Sequence, residues 1–225
     1  MRIQNRQPSL PDWSLILKAI AISSCLSLLA GCALPTLDQR AVAELKGKRV
    51  DRVVPPTLKM SMTTPASAAV VGFGLAGGVA AAASGAKPGG VAPFDFPDPS
   101  LALAAKLTEQ LSHRYGTTTL SAVVTPPATG VGDYSLHVTT RNLNMAYYIT
   151  SPSHYRVLFL TVVTLIDNKT QKPVSTGVCV NQPDQTPASA TYDEMLANDG
   201  ERAKRELAAG VDFCAQKLQR ELFSI

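Results

Sequence analysis

The sequence is poor in the residues that carry most enzyme chemistry. Its 225 residues include three histidines, His113, His137 and His154. None of them has a second ligand at the spacing of a zinc site. The chain also lacks a G-x-S-x-G motif, and it has no Ser-x-x-Lys in a setting that suits a nucleophile. Histidines this isolated are typical of structural or solvent-exposed positions. The sequence therefore predicts no metal, no catalytic residue and no enzyme.

Charge is scarce as well. Charged residues make up 17% of the chain, and the formal net charge is +4. Residues 1–31 contribute a net +2 of that total, which leaves about +2 for the remainder. This balance is too weak to indicate nucleic acid as a partner. Hydrophobic residues, at 45%, are abundant enough for a packed core.

The N-terminal apolar run is too short to cross a membrane. It covers residues 19–30, which is 12 residues against the roughly 20 that a spanning helix needs. Arg2, Arg6 and Lys18 precede the run, and small residues end it. This pattern is typical of a secretory signal peptide, which we place at residues 1–31.

The motif Leu29-Ala30-Gly31-Cys32 resembles the lipobox of bacterial lipoproteins. The resemblance implies cleavage before Cys32 and acylation of its thiol and new amino group, with palmitate among the chains. Those chains would anchor the protein to a membrane. Residue 33 is alanine rather than aspartate, which in enterobacterial lipoproteins implies the outer membrane with the domain facing the periplasm. The alternative is an ordinary signal peptide with a cysteine there by chance.

Composition divides the rest of the chain into three parts. Residues 32–48 form a tether, and residues 98–225 form the periplasmic domain. Between them, residues 49–97 combine a strand with an Ala/Gly-rich segment. Pro55 and Pro56 interrupt that strand, and proline cannot donate to a ladder, so we expect an edge strand.

Residues 66–86 carry no charge and are rich in alanine, glycine and serine. Gly74 and Gly78 form a GxxxG pair, which lets helices approach closely. The segment is interpreted as a helix packed on its own domain, as a homo-oligomer contact or membrane contact, or as a flexible linker. It also contains a G-x-G-x-x-G match, but the stub of strand before it and the prolines after it exclude a dinucleotide site. No cofactor is predicted.

The domain at residues 98–225 alternates between helical and strand patterns. Asp98-Pro99 begins a helix that Gly116 ends. Strand patterns follow. In one of them the apolar residues change from even-numbered to odd-numbered positions near residues 139–143, which predicts a bulge. In the strongest strand Phe159 and Leu160 lie on opposite apolar faces, which predicts core on both sides. Thr191 and Glu194 fit a capping box at the start of the last helix, and Asn198-Asp199-Gly200 is the predicted site of a bend in it.

This order predicts an α+β fold with a mostly antiparallel sheet of about four to five strands and two main helices. Its C-terminal half resembles a group of uncharacterised proteobacterial lipoproteins. Four segments carry the likeness: Ser153-His154-Tyr155-Arg156-Val157-Leu158, Gly177-Val178-Cys179, Tyr192-Asp193-Glu194-Met195-Leu196-Ala197-Asn198-Asp199 and Phe213-Cys214. The resemblance implies no activity and no catalytic residue.

Cys179 and Cys214 are predicted to form a disulfide. Cys25 lies in the signal peptide and Cys32 in the lipobox, so these two are the remaining pair in an oxidising compartment. The alternatives are two buried free thiols or a redox pair, although the C-x-x-C spacing is missing.

Three functions compete at this point. The first is a lipid-anchored, non-enzymatic envelope protein that binds a protein partner, with the Tyr147-Tyr148 hairpin as one candidate surface. The second is an oligomeric or membrane-active assembly formed through residues 66–86. The third, an envelope hydrolase, would need the histidines to converge with carboxylates.

Overall fold

The computed structural model describes residues 44–56, 58–65, 67–68, 90–124 and 131–223. These residues belong to one compact unit, Pro35–Ile225. The predicted signal peptide, Cys32 and most of the tether lie outside the described residues. So does nearly all of the segment at residues 66–86.

Helix α1 spans Pro99–Tyr115 with the ends that its sequence predicts. At its start, Oδ1 of Asp98 accepts hydrogen bonds from the backbone N–H groups of Ser100 at 2.8 Å and Leu101 at 3.3 Å. At its end, Gly116 has a left-handed φ of 63° and donates its N–H to the carbonyl of Ser112. These contacts satisfy backbone groups that a helix otherwise leaves unpaired.

The described residues contain seven strands in a single sheet. The strands are β1 Arg49–Val53, β2 Ser61–Thr63, β3 Gly90–Val91, β4 Thr118–Val124, β5 Tyr134–Tyr148, β6 Ser151–Asp167 and β7 Lys172–Asn181.

Strand β5 lies at the centre of this sheet. One of its edges is shared by β1 and β2, which pair parallel to opposite ends of it. Its other edge pairs antiparallel with β6, which pairs in turn with β7. Beyond β1 lies β4, and beyond β2 lies β3.

The α+β fold with two main helices is confirmed. The sheet is larger and more mixed than predicted, because β1 pairs parallel with both β4 and β5, and β2 pairs parallel with β5. Val50 and its partner Tyr134 are more than 80 residues apart in the chain. Parallel pairs of this kind leave no turn signal in the sequence.

The prediction of an edge strand near Pro55 and Pro56 is wrong. The chain forms two strands there, and β1 ends at Val53, before the prolines. It lies between β4 and β5 and pairs with both. Because the prolines fall in the connection to β2, β1 keeps its backbone donors for two neighbours.

The bulge predicted near residues 139–143 is confirmed in β5. Thr140 lies opposite Thr161 and Asn142 lies opposite Leu160, so Arg141 is the extra residue. The bulge restores the inward direction of the strand's apolar residues, and both Val138 and Leu143 are buried.

Strand β6 is buried on one face only. Phe159 is 1% exposed, whereas Leu160 is half-buried. The prediction that both are core residues is therefore correct for Phe159 and wrong for Leu160. The other half-buried apolar residues of β6 share the face of Leu160 and are Leu158, Val162 and Ile166.

Helix α2 spans Tyr192–Phe223 and is broken at residues 197–200, where the sequence predicts a bend. Asn198, Asp199 and Gly200 have left-handed φ values of 51°, 56° and 69°. The ring of Phe94 occupies the space that a Cβ atom on Gly200 would need, so only glycine fits there. Within the described residues, no helix is long and apolar enough to cross a membrane.

Truncation of the two neighbouring residues of β6 should separate the two faces. We expect Phe159→Ala to lower the free energy of unfolding by about 3–5 kcal/mol, because it opens a cavity in the core. Leu160→Ala, on the half-buried face, should cost only about 1 kcal/mol. Urea unfolding of the two variants with the disulfide intact checks this. Equal losses would mean that both faces of β6 are core.

Candidate binding surface

A disulfide between Cys179 and Cys214 fixes α2 to the sheet. It is the predicted pairing, and it joins the covered face of β7 to the apolar stripe of α2 with a Cα–Cα distance of 5.6 Å. Next to it, Gly177 leaves room for the side chains of Leu218 and Leu222 of α2. The helix can therefore lie close against β7.

The three histidines do not converge. His113 is on α1, with Nε2 3.9 Å from Oε1 of Glu109, and both side chains are exposed. His137 is in β5, where burial lowers its pKa. His154 is near the start of β6, and its Nδ1 contacts the hydroxyls of Ser151 and Ser153 in the same strand. Among the described residues, no three metal-type side chains lie close enough together to hold an ion.

Helix α2 packs on the odd-numbered face of β6, and α1 packs on β5 and on α2 beside it, so among the described residues the even-numbered face of β6 stays open. We call this the open face: the even-numbered side chains of β6 with their partners on β5 and β7. Leu160 lies opposite Val180 of β7, and Val162 lies opposite Val178. On the other side, Leu158, Leu160 and Val162 lie opposite Asn144, Asn142 and Thr139 of β5. Val180 is 50% exposed, and the other apolar residues of the face are half-buried.

A polar network closes one end of the open face. The carboxylate of Asp51, 1% exposed, accepts the N–H of Gly132 at 2.6 Å. Asn168 donates to the carbonyl of Gly132 and accepts from the hydroxyl of Ser135. Beside it, a hydrogen bond from the backbone N–H of Arg49 lowers the pKa of Asp133. These contacts hold the turn before β5 in place.

The other end of the open face is formed by Arg156 and the loop after β7. The guanidinium of Arg156 stacks on the ring of Tyr148 at 4.7 Å. Its Nη1 donates to the carbonyl of Pro183 at 3.0 Å, and the hydroxyl of Tyr148 donates to the carbonyl of Asp184. The loop is thereby tied to the ends of β5 and β6.

The tyrosines proposed as an exposed surface have other roles. Tyr148 is 6% exposed and anchors the loop, while Tyr147 packs on the ring of Tyr155. Tyr155 also contacts Tyr192 of α2, and burial raises its pKa to about 12. The Tyr147-Tyr148 pair is therefore part of the framework beside the open face.

Sequence reasoning missed the open face because apolar residues on both sides of β6 are typical of a strand covered twice. One signal was available. The residues of β5 that lie opposite Leu158, Leu160 and Val162 are all polar. They are Asn144, Asn142 and Thr139. A fully covered face would be expected to continue as apolar onto the central strand.

No model of a known protein family matches the sequence, and no curated protein matches it. Several solved structures show a weak likeness. A Xanthomonas campestris protein of the DUF330 family is 11% identical at a TM-score of 0.40, covering 82% of this chain and 90% of its own. PelC from Paraburkholderia phytofirmans, a dodecamer, is 11% identical at 0.29, covering 73% and 84%.

A lipoprotein from Neisseria meningitidis is also 11% identical, at a TM-score of 0.25, with 76% of this chain and 99% of its own covered. TM-scores this low carry no argument about what the present chain binds or does.

The disulfide should contribute measurably to stability. Its closed loop spans 35 residues, so the Cys179→Ser, Cys214→Ser double variant should lose about 3–4 kcal/mol of unfolding free energy. Chemical unfolding of wild type and double variant, together with thiol counting on denatured, unreduced protein, tests this. Two free thiols in the wild type, or equal stability of the two proteins, would contradict it.

The capping box at the start of α2 should give stability that acid removes. Glu194 accepts the backbone N–H of Thr191 at 2.7 Å and its hydroxyl at 3.0 Å. These bonds lower the pKa of Glu194 below its ordinary 4.5. A lowered folded-state pKa adds stability that is present above about pH 4.5 and is lost as the pH falls through the folded value.

An NMR titration of the Glu194 carboxyl should therefore give a midpoint below 4.5. In Thr191→Ala the midpoint should rise only part of the way, because the backbone N–H of residue 191 still donates. A wild-type midpoint at or above 4.5 would show that the capping box does not form in solution.

Proposed function

We propose that this chain is a lipid-anchored protein of the cell envelope that binds a protein partner and catalyses no reaction. The observation that carries the proposal is the disulfide between β7 and α2. Structural disulfides form and persist in oxidising compartments such as the periplasm. A buried bond between the sheet and the C-terminal helix fits a domain that folds after export.

The N-terminal sequence supports a lipid anchor. A short apolar run ends at Leu29-Ala30-Gly31-Cys32, and basic residues precede it. Two or more acyl chains on Cys32 would hold the protein stably, whereas one chain binds only marginally. With alanine at residue 33, the proposed location is the outer membrane, with the domain facing the periplasm.

The described domain supports binding rather than catalysis. His113, His137 and His154 are held on three separate elements. His113 faces Glu109 on the exposed side of α1, His137 is half-buried in β5, and His154 contacts Ser151 and Ser153 and lies within electrostatic reach of Glu194. The open face, in contrast, presents leucine and valine side chains on two adjacent rigid strands. Rigid elements with exposed apolar rows suit the recognition of another protein.

Replacement of the lipidated cysteine tests the anchor. Cys32→Ser should shift the protein from the membrane fraction to an uncleaved precursor that incorporates no clickable palmitate, because both acyl sites are lost. Cys25→Ser, inside the removed segment, is the matched control and should behave as wild type. A processed, membrane-bound Cys32→Ser protein would refute the lipid anchor.

Purification of the full chain from intact, crosslinked envelopes tests the partner. We expect a partner in a fixed stoichiometric ratio to this chain. Recovery of the chain alone after crosslinking would count against a binding function. A turnover of envelope polymers or lipids by the purified protein would contradict the non-enzymatic assignment.

A further inference from the structure

We propose that the open face binds a partner protein that places apolar side chains on the β6–β7 row and a carboxylate on Arg156. This inference rests on the proposed binding function and specifies its surface and its chemistry. The row consists of Leu158, Leu160 and Val162 of β6 with Val178 and Val180 of β7. Two ladder pairs, Leu160 with Val180 and Val162 with Val178, place these side chains next to one another on one face.

The row is not ordinary solvent-exposed sheet. The solvent face of an antiparallel sheet is usually polar, in alternation with the buried side. Here the alternate residues of β6 from Leu158 to Val162 are all leucine or valine, and Val180 beside them is half exposed. Contiguous apolar surface of this kind usually marks an interaction site.

Arg156 gives the surface its charge. It precedes Leu158 by two positions, so its side chain leaves β6 on the same face. Among the described residues, no carboxylate lies within 4.0 Å of its guanidinium, and its Nε is buried without a hydrogen-bond acceptor. Of its five donors, one bonds within the described part of the chain, to the carbonyl of Pro183.

The setting of Arg156 orients it for a carboxylate. Stacking on Tyr148 at 4.7 Å and the bond to Pro183 fix the plane of the guanidinium. A fixed planar guanidinium recognises a carboxylate through paired hydrogen bonds, which a lysine cannot reproduce. The acid nearest along the loop, Asp184, contributes its backbone carbonyl to Tyr148.

Charge complementarity favours a different protein over a second copy of this chain. In a two-fold dimer the same patch contributes from both subunits. The leucine and valine row itself carries no carboxylate, and Asp51 is 1% exposed and held by Gly132. Two solvent-accessible acids lie at the ends of the face: Asp133, which pairs with Arg49, and Asp184, in the loop that Arg156 holds. In face-to-face self-association Arg156 would compete for these acids with the second copy's own Arg49 and Arg156, whereas a different protein can supply a carboxylate of its own. An anionic lipid surface would call for a cluster of basic residues, not a single arginine at the end of an apolar row.

Photo-crosslinking in the native envelope tests the proposal. Full-length protein carries benzoylphenylalanine at position 162, on the open face, or at position 213, an exposed position on α2 that serves as the control. We expect an adduct with a different protein from position 162 and none from position 213. Mass spectrometry of the adduct should identify a partner segment with apolar residues and an aspartate or glutamate.

The role of the Arg156 charge is tested by reversing it and then reversing the partner's charge. Arg156→Glu should reduce the adduct about tenfold or more, because like charges then face each other. Replacing the partner's carboxylate with arginine should restore the adduct in Arg156→Glu and weaken it in wild type. Arg156→Gln, which retains an N–H for Pro183, should also reduce the adduct. Thermal unfolding and thiol counting check that each variant is folded.

Several outcomes would overturn the proposal. One is an adduct from position 162 to a second copy, to lipid or to another part of this chain. The others are the absence of any adduct from position 162 and an Arg156→Glu adduct as strong as that of wild type. An adduct from position 213 alone would retain the binding function and reject the open face. Failure at both positions, with no stoichiometric partner, would reject the binding function as well.

Discussion

The structure depends on the packing of both helices against the same face of one sheet. Gly177 in β7 leaves space for Leu218 and Leu222 of α2, and the disulfide from Cys179 to Cys214 fixes this contact covalently. The hydroxyl of Tyr115, at the end of α1, donates to the carbonyl of Phe223 at the end of α2. The two helices therefore act as one layer, and the core lies between that layer and the sheet.

Covering one face leaves the other open. The long strand β5 supports both arrangements, because it binds β1 and β2 on one edge and β6 on the other. At one end of the open face, Asp51 and Asn168 hold the turn at Gly132 against the sheet through hydrogen bonds. At the other end, Arg156 holds the loop after β7 through its hydrogen bond to the carbonyl of Pro183. Between these two polar ends, the leucines and valines of β6 and β7 have no cover among the described residues. A lipid anchor would keep this surface close to the envelope partners that it is proposed to meet.

Local signals in the sequence predicted the local structure well. The cap at Asp98, the bulge at Arg141 and the break at Gly200 each depend on residues within a few positions of each other. The position of β1 and the open side of β6 depend on which distant segments meet, and apolar residues alone do not specify this. Leu160 illustrates the difficulty, because its sequence context is the same whether a helix, a partner or water covers it.

Accessibility of the open face in and out of the envelope is the most direct test of this account. A cysteine placed at Val162 can be labelled with a maleimide in the purified protein and in intact envelopes, with one at Phe213 for comparison. The account predicts fast labelling of position 162 in the purified protein and strong protection in the envelope, with position 213 labelled in both. Equal labelling of position 162 in both settings would contradict a bound partner. Protection in both settings would show that the chain covers this face itself.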